Sequence, residues 1–153
     1  MKQHVEKIKA TINELKRIDN KKINTKLDLN KSERVLDKLG TLASDCQECE
    51  QQLVEFENHY NQILDKNKHL QESDYKQHKK LIREAYSHLQ KNHKLLPEGY
   101  YLSVFISVGI SIGVMFGLTI FDNIALGLPI GMCIGIAIGS GLDADAKKNG
   151  KTI

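Results

Sequence analysis

With 22 basic and 19 acidic side chains among 153 residues, the chain carries a formal charge of only +3, and the two signs interleave along its first two thirds. That balance describes a solvated helix surface and argues against a nucleic-acid-binding patch. Between residues 100 and 142 the one charged residue is Asp122, and most of the glycine falls there, so the chain divides by composition near Pro97.

The start, Met1-Lys2-Gln3-His4-Val5-Glu6-Lys7, has no apolar h-region. No signal peptide is expected, and the charged region should stay in the cytoplasm. In those reducing surroundings, or in lipid, Cys46, Cys49 and Cys133 are not expected to form structural disulfides. Residues 1–18 carry a short apolar seam (Val5, Ile8, Ile12, Leu15), and 19–30 read as a connection. Val35, Leu39, Leu42, Cys46, Cys49, Leu53, Phe56, Tyr60 and Ile63 then alternate spacings of four and three. This is an unbroken heptad seam of the kind found in coiled coils and helical hairpins, with Asn30 or Ser32 to cap its start.

After Leu70 the phase shifts to Tyr75, His78, Ile82, Ala85, Leu89 and Leu96. A turn near residues 68–73 accounts for the shift and makes an antiparallel helical pair; one long kinked helix is the alternative. The rings of His59, His69 and His78 are expected to face solvent. Residues 1–96 are thus read as a cytoplasmic helical, coiled-coil-like region and 97–99 as a linker.

Cys46-Gln47-Glu48-Cys49 has redox and metal-binding spacing, but the pair also fills consecutive seam positions, where small thiols pack as core. A thioredoxin reading needs a preceding strand, and none is expected. In the antiparallel pair, Cys46 and Cys49 come level with residues 92–95, close to His88 and His93. The four would make a Cys2His2 set with the donors and number that tetrahedral zinc takes. No cofactor is required by the sequence, and zinc is the one it could take. There is no P-loop, oriented nucleophile or pocketed carboxylate pair, so no catalytic residues are expected and the chain is not read as an enzyme.

Residues 100–121 and 124–142 each reach the roughly 20 apolar residues that a bilayer core requires of a helix. Only Asp122 and Asn123 separate them, so two spans must be antiparallel neighbours. Lys76, Lys79, Lys80, Arg83, Lys91 and Lys94 precede the hairpin, Lys147, Lys148 and Lys151 follow it in the basic tail 143–153, and the turn has no such residue. The positive-inside bias puts both ends in the cytoplasm. Gly109, Gly113 and Gly117, and Gly127, Gly131, Gly135 and Gly139, recur every four residues and line one face of each span, where backbones can approach closely. A second small row lies almost opposite: Ser103, Ser107 and Ser111, then Ala125, Pro129, Cys133, Ala137 and Gly141. One row suffices to close the hairpin, so the other implies another copy or another membrane protein. Small and large residues also nearly alternate, which is a strand period as well. A β reading would make an inserting hairpin of a multi-chain barrel, although each run is about twice a strand's usual length.

Glu98-Gly99-Tyr100-Tyr101, the glycine-spaced spans and Gly141-Leu142-Asp143-Ala144-Asp145-Ala146-Lys147-Lys148 resemble small bacterial glycine-zipper membrane proteins, over roughly the last third of the chain. The resemblance implies a bacterial inner-membrane location and self-association, and no activity. The expected fold is all-α: cytoplasmic antiparallel helices followed by a two-helix transmembrane hairpin with glycine-zipper faces. Its expected partners are the lipid bilayer, further copies of itself and a cytoplasmic or membrane protein. The function read from this is a self-associating membrane-anchored scaffold; the alternative is an oligomeric, membrane-disrupting pore gated by the cytoplasmic helices.

Overall fold

Seams of apolar residues three and four apart give each helix one face to bury. In the structure, a computed structural model that describes residues 2–17, 25–66 and 70–153 with side chains from His4 onward, those seams become α1 (Lys2–Arg17), α2 (Leu29–Leu42), α3 (Gln47–Lys66) and α4 (Glu72–His93). The apolar pair α5 (Tyr100–Thr119) and α6 (Ile124–Lys148) follows. The chain divides into two compact units, Met1–His93 and Lys94–Ile153. Among the described residues there is no β-strand, only an isolated parallel bridge between Leu96 and Thr152. The β-hairpin reading is therefore corrected: glycines four apart and small residues two positions out of phase lie on opposite faces of one helix, and that produces the alternation.

In the first unit α3 packs against α1, α2 and α4. Ile8, Ile12 and Leu15 of α1, Val35, Leu36 and Leu39 of α2, Leu53, Phe56, Tyr60 and Ile63 of α3, and Ala85 and Leu89 of α4 form its core. Antiparallel pairing of α1 with α2 follows from Lys16–Glu33 at 2.8 Å and from Val5 lying against Gly40, where an added Cβ would collide with the valine side chain. At one end of the α3/α4 pair Lys66 Nζ donates to Asp74 at 2.6 Å, and at the other Cys49 meets His93. That pair is antiparallel too. The turn expected at 68–73 falls partly on residues 67–69, outside the described ones; α4 begins at Glu72, with the Asp74 carboxylate accepting from the Gln71 N–H at 2.9 Å.

Three expectations are revised. The heptad seam is divided, because a turn separates α2 from α3 between Leu42 and Gln47. Seam spacing survives across the turn, so apolar counting passes over it, but Ser44 and Asp45 compete with helix hydrogen bonding and favour the break. The cap of α2 is neither Asn30 nor Ser32: Asp28 accepts from the Lys31 N–H, in a left-handed conformation (φ 43). His59 and His78 do not face solvent, at 3% and 1% exposure. A helix packed on three neighbours buries a broader face than a two-helix seam does, and His59, beside Phe56 and Tyr60, lies within it; His69 is outside the described residues.

In the second unit α5 and α6 form the hairpin. Asp122 takes a left-handed conformation (φ 46), the Asn123 N–H donates to the Gly117 carbonyl at 2.8 Å, and the Asn123 side chain accepts from the Ala125 N–H at 2.9 Å, capping α6. Where the apolar run ends at Leu142, α6 continues helical through the charged stretch to Lys148.

Candidate functional site

The glycine rows face each other. A Cβ added at Gly113 would stand 2.6 Å from the Gly127 carbonyl oxygen; one added at Gly131 would stand 2.6 Å from the Gly113 Cα. One at Gly117 would lie 2.9 Å from the Ile124 Cα, at Gly139 2.7 Å from the Leu102 Cα, and at Gly135 it would strike the Phe105 carbonyl. Gly109 faces Gly131 and Gly135 in the same way. Each clash is with backbone, so these positions accept hydrogen alone. Their Cα–H groups point at carbonyl oxygens across the seam, adding weak polar contacts to close dispersion packing.

The second small row points away from the hairpin: Ser103, Ser107, Ser111, Ala125, Pro129, Cys133, Ala137 and Gly141 are all exposed. Each serine hydroxyl of that row donates to the carbonyl four residues earlier at 2.9 Å, so these hydroxyls are satisfied within their own helix. Around it stand large apolar side chains open to the surroundings, among them Met115 at 60% and Leu126 at 55% exposure. A core helix of a water-soluble domain would bury these; in a bilayer they face lipid. Both helices are long and apolar enough to cross a membrane.

Residues 98–144 match the family described as glycine zipper membrane protein. No curated protein and no solved structure matches the chain. The match and the two apolar helices together make this a membrane protein whose glycine zipper is the α5/α6 seam. Its two ends meet: the Leu96 N–H donates to the Lys151 carbonyl at 2.8 Å and the Ile153 N–H to the Leu96 carbonyl at 2.9 Å. A chain that crosses and returns in this way has both flanks of its hairpin on one side of the bilayer.

The zipper includes one residue that reading the glycines alone misses. Gly127, Gly131, Gly135 and Gly139 continue, at the same spacing, to Asp143. Gly99 starts α5 without a side chain to cap it, and Asp143 supplies the cap from the other helix, accepting from the Tyr101 N–H at 3.0 Å and the Leu102 N–H at 2.9 Å. The negative charge also complements the helix N-terminus. Asp143→Ala is expected to cost about 1–2 kcal/mol. The check is a lowered thermal midpoint in detergent with faster amide exchange at Tyr101 and Leu102. Asp145→Ala, whose carboxylate bonds the Asn149 side chain at 3.1 Å, should leave both unchanged.

In the first unit the structure brings Cys46, Cys49, His88 and His93 together, one donor atom of each lying within 4.8 Å of the others. Cys46 Sγ is 3.3 Å from His88 Nε2, and Cys49 Sγ is 3.4 Å from His93 Nε2. Cys46 ends the α2/α3 turn, Cys49 lies one helical turn further on in α3, and the histidines come from the last turns of α4. The other ring nitrogen of His88, Nδ1, is 3.1 Å from the Glu48 carboxylate and 3.0 Å from the Asn92 amide. Burial, then the adjoining Cys46 thiol, then the Glu48 charge push the Cys49 thiol up to about 12.

Proposed function

We propose that the chain is a non-catalytic scaffold, anchored in the bacterial inner membrane with both flanks in the cytoplasm, that self-associates through the outer small-residue row and presents its helical bundle to a partner. The observation that carries this reading is the division of labour between the two rows. The glycines are consumed in closing the hairpin, and a second row of small residues is left on the outside, where another hairpin can pack closely against it. Serine hydroxyls bonded to their own helix favour a packing face over a water-lined lumen, and so favour the scaffold over the pore. The lysines and arginine flanking the hairpin, with none in its turn, favour cytoplasmic ends. On the bundle, a groove between α2 and α4 floored by Leu27, Ile82 and Tyr86 and rimmed by Lys79 and Arg83 suits a partner segment that is apolar and acidic.

The test combines topology with crosslinking in membranes. A reporter active only in the cytoplasm should work when fused after Ile153. Ser107→Leu with Ala137→Leu should leave protein levels unchanged while reducing a crosslinked ladder several-fold. Export of the reporter would reverse the orientation, an unchanged ladder would remove the packing role of the outer row, and an ion leak on expression would favour the pore.

A further inference from the structure

The Cys/His cluster has no part in membrane anchoring, yet its geometry is too specific for four side chains that merely share a core. Two thiols and two imidazoles converge at one end of an antiparallel helix pair, with sulfur-to-nitrogen separations of 3.3 and 3.4 Å. A tetrahedral ion with Zn–S of about 2.3 Å and Zn–N of about 2.0–2.1 Å holds such donors about 3.6 Å apart. Those two pairs therefore need adjustments of only a few tenths of an ångström, and the wider separations in the set, within 4.8 Å, close by up to about 1 Å.

We propose that Cys46, Cys49, His88 and His93 bind one structural zinc ion, which clamps the start of α3 to the end of α4. Two thiolates and two neutral imidazoles exactly offset the dication, and the two thiol protons pass to solvent on binding. Soft sulfur and borderline nitrogen donors disfavour magnesium and calcium, which take oxygen. All four positions are filled by the protein, so the site is closed and has no place for a substrate. His88 also has the support that metal-bound imidazoles require: its Nε2 faces the sulfur while Nδ1 lies 3.1 Å from the Glu48 carboxylate, which fixes the ring and the tautomer. The placement gives the ion a mechanical consequence. The α3/α4 pair is joined at residues 67–71, so its open end is at the cluster; the zinc closes that end, one residue before the second unit begins at Lys94.

The experiment uses the full chain in detergent, purified without chelator from zinc-supplemented cells. Elemental analysis should return one zinc per chain, and absorption at the zinc edge should show two sulfur and two nitrogen neighbours. Cys133→Ser, on the exposed face of α6, should keep the metal, whereas Cys46→Ser with Cys49→Ser should lose at least nine tenths of it. Because the double variant can also disturb the bundle, Glu48→Gln provides a milder test: it leaves all four ligands in place and should weaken zinc binding about tenfold. Chelation of the parent should lower the thermal midpoint of the bundle. Metal well below one per chain, zinc retained in full by the double cysteine variant, a shell without sulfur, or a Cys46–Cys49 disulfide in the purified chain would each overturn the proposal.

Discussion

Gly131→Ala should open the transmembrane hairpin, although it adds a single methyl group to a helix and would raise helix propensity elsewhere. The new Cβ would stand 2.6 Å from the Gly113 Cα and 2.8 Å from its nitrogen, and neither can move without shifting α5 as a whole. Overpacking costs about 1–3 kcal/mol even where side chains can yield; here only backbone is available to yield. Lipid offers no compensating hydrophobic gain. Gly141→Ala is the matched control, since a Cβ there would meet nothing within 4 Å. Ile136→Leu, on an exposed position, should be close to neutral. The readout uses native groups: Lys147 Nζ lies 3.4 Å from a Glu98 carboxylate oxygen across the open end, so a zero-length carbodiimide crosslink between them should form in the parent and in Gly141→Ala. In Gly131→Ala it should fall several-fold, together with the thermal midpoint. Equal crosslinking and equal midpoints for the two alanine variants would mean that the glycine spacing is incidental.

The membrane half was the more legible in sequence because its constraint is local and periodic. Lipid admits only internally bonded helices or closed barrels, the runs are too long for single strands, and a run of glycines four apart states which face must approach another backbone. What spacing alone left open was which of the two small rows closes the hairpin; this depends on how the two residues of the turn rotate α6 against α5. Asp143 could have been found by extending the row one further step, from a glycine that admits a backbone to a carboxylate that caps one. Reading the stretch after Leu142 only as a basic tail hid it.

The bundle was legible in its core residues and less so in its architecture. Val35, Leu39, Leu53, Phe56 and Ile63 are buried where their seam requires, but a seam does not say how many helices share it. The break after Leu42 preserves heptad phase, so a divided helix and a continuous one give the same apolar spacing. The polar pair Ser44-Asp45 was the available sign. Burial of His59 was invisible for a related reason: it flanks the seam, and only packing on more than one neighbour brings the flank inside.

That burial predicts a steep acid sensitivity in the bundle. The His59 ring stacks on His78 with centroids 5.4 Å apart, and neither of its nitrogens has a hydrogen-bond partner among the described residues. Burial, followed by the neighbouring His78, lowers its pKa to about 4, with Lys66 acting in the same direction and Asp74 opposing. His78 is lowered as well, chiefly by burial, while its contact with the Leu27 carbonyl and the charge of Asp28 partly offset the shift. In the unfolded chain both rings titrate near 6.5. Between that value and about 4 the unfolded state therefore binds more protons than the folded one, and stability falls as pH drops through the window. For His59 alone the loss is on the order of 3 kcal/mol once its folded pKa is passed, enough to move the melting temperature of a unit this size by roughly 10 °C or more. The far-UV melting transition of the full chain in detergent should accordingly be flat from about pH 7 to 8 and fall steeply from about pH 6.5 to 4. His59→Leu removes the titrating ring together with two buried nitrogens that lack partners. It should raise the midpoint at neutral pH and flatten the acid limb, whereas His4→Gln, at the half-exposed contact with Glu57, should leave that limb as it is. An acid limb of the same depth in His59→Leu and the parent would assign the sensitivity to other groups and leave the buried histidine pair without a part in it.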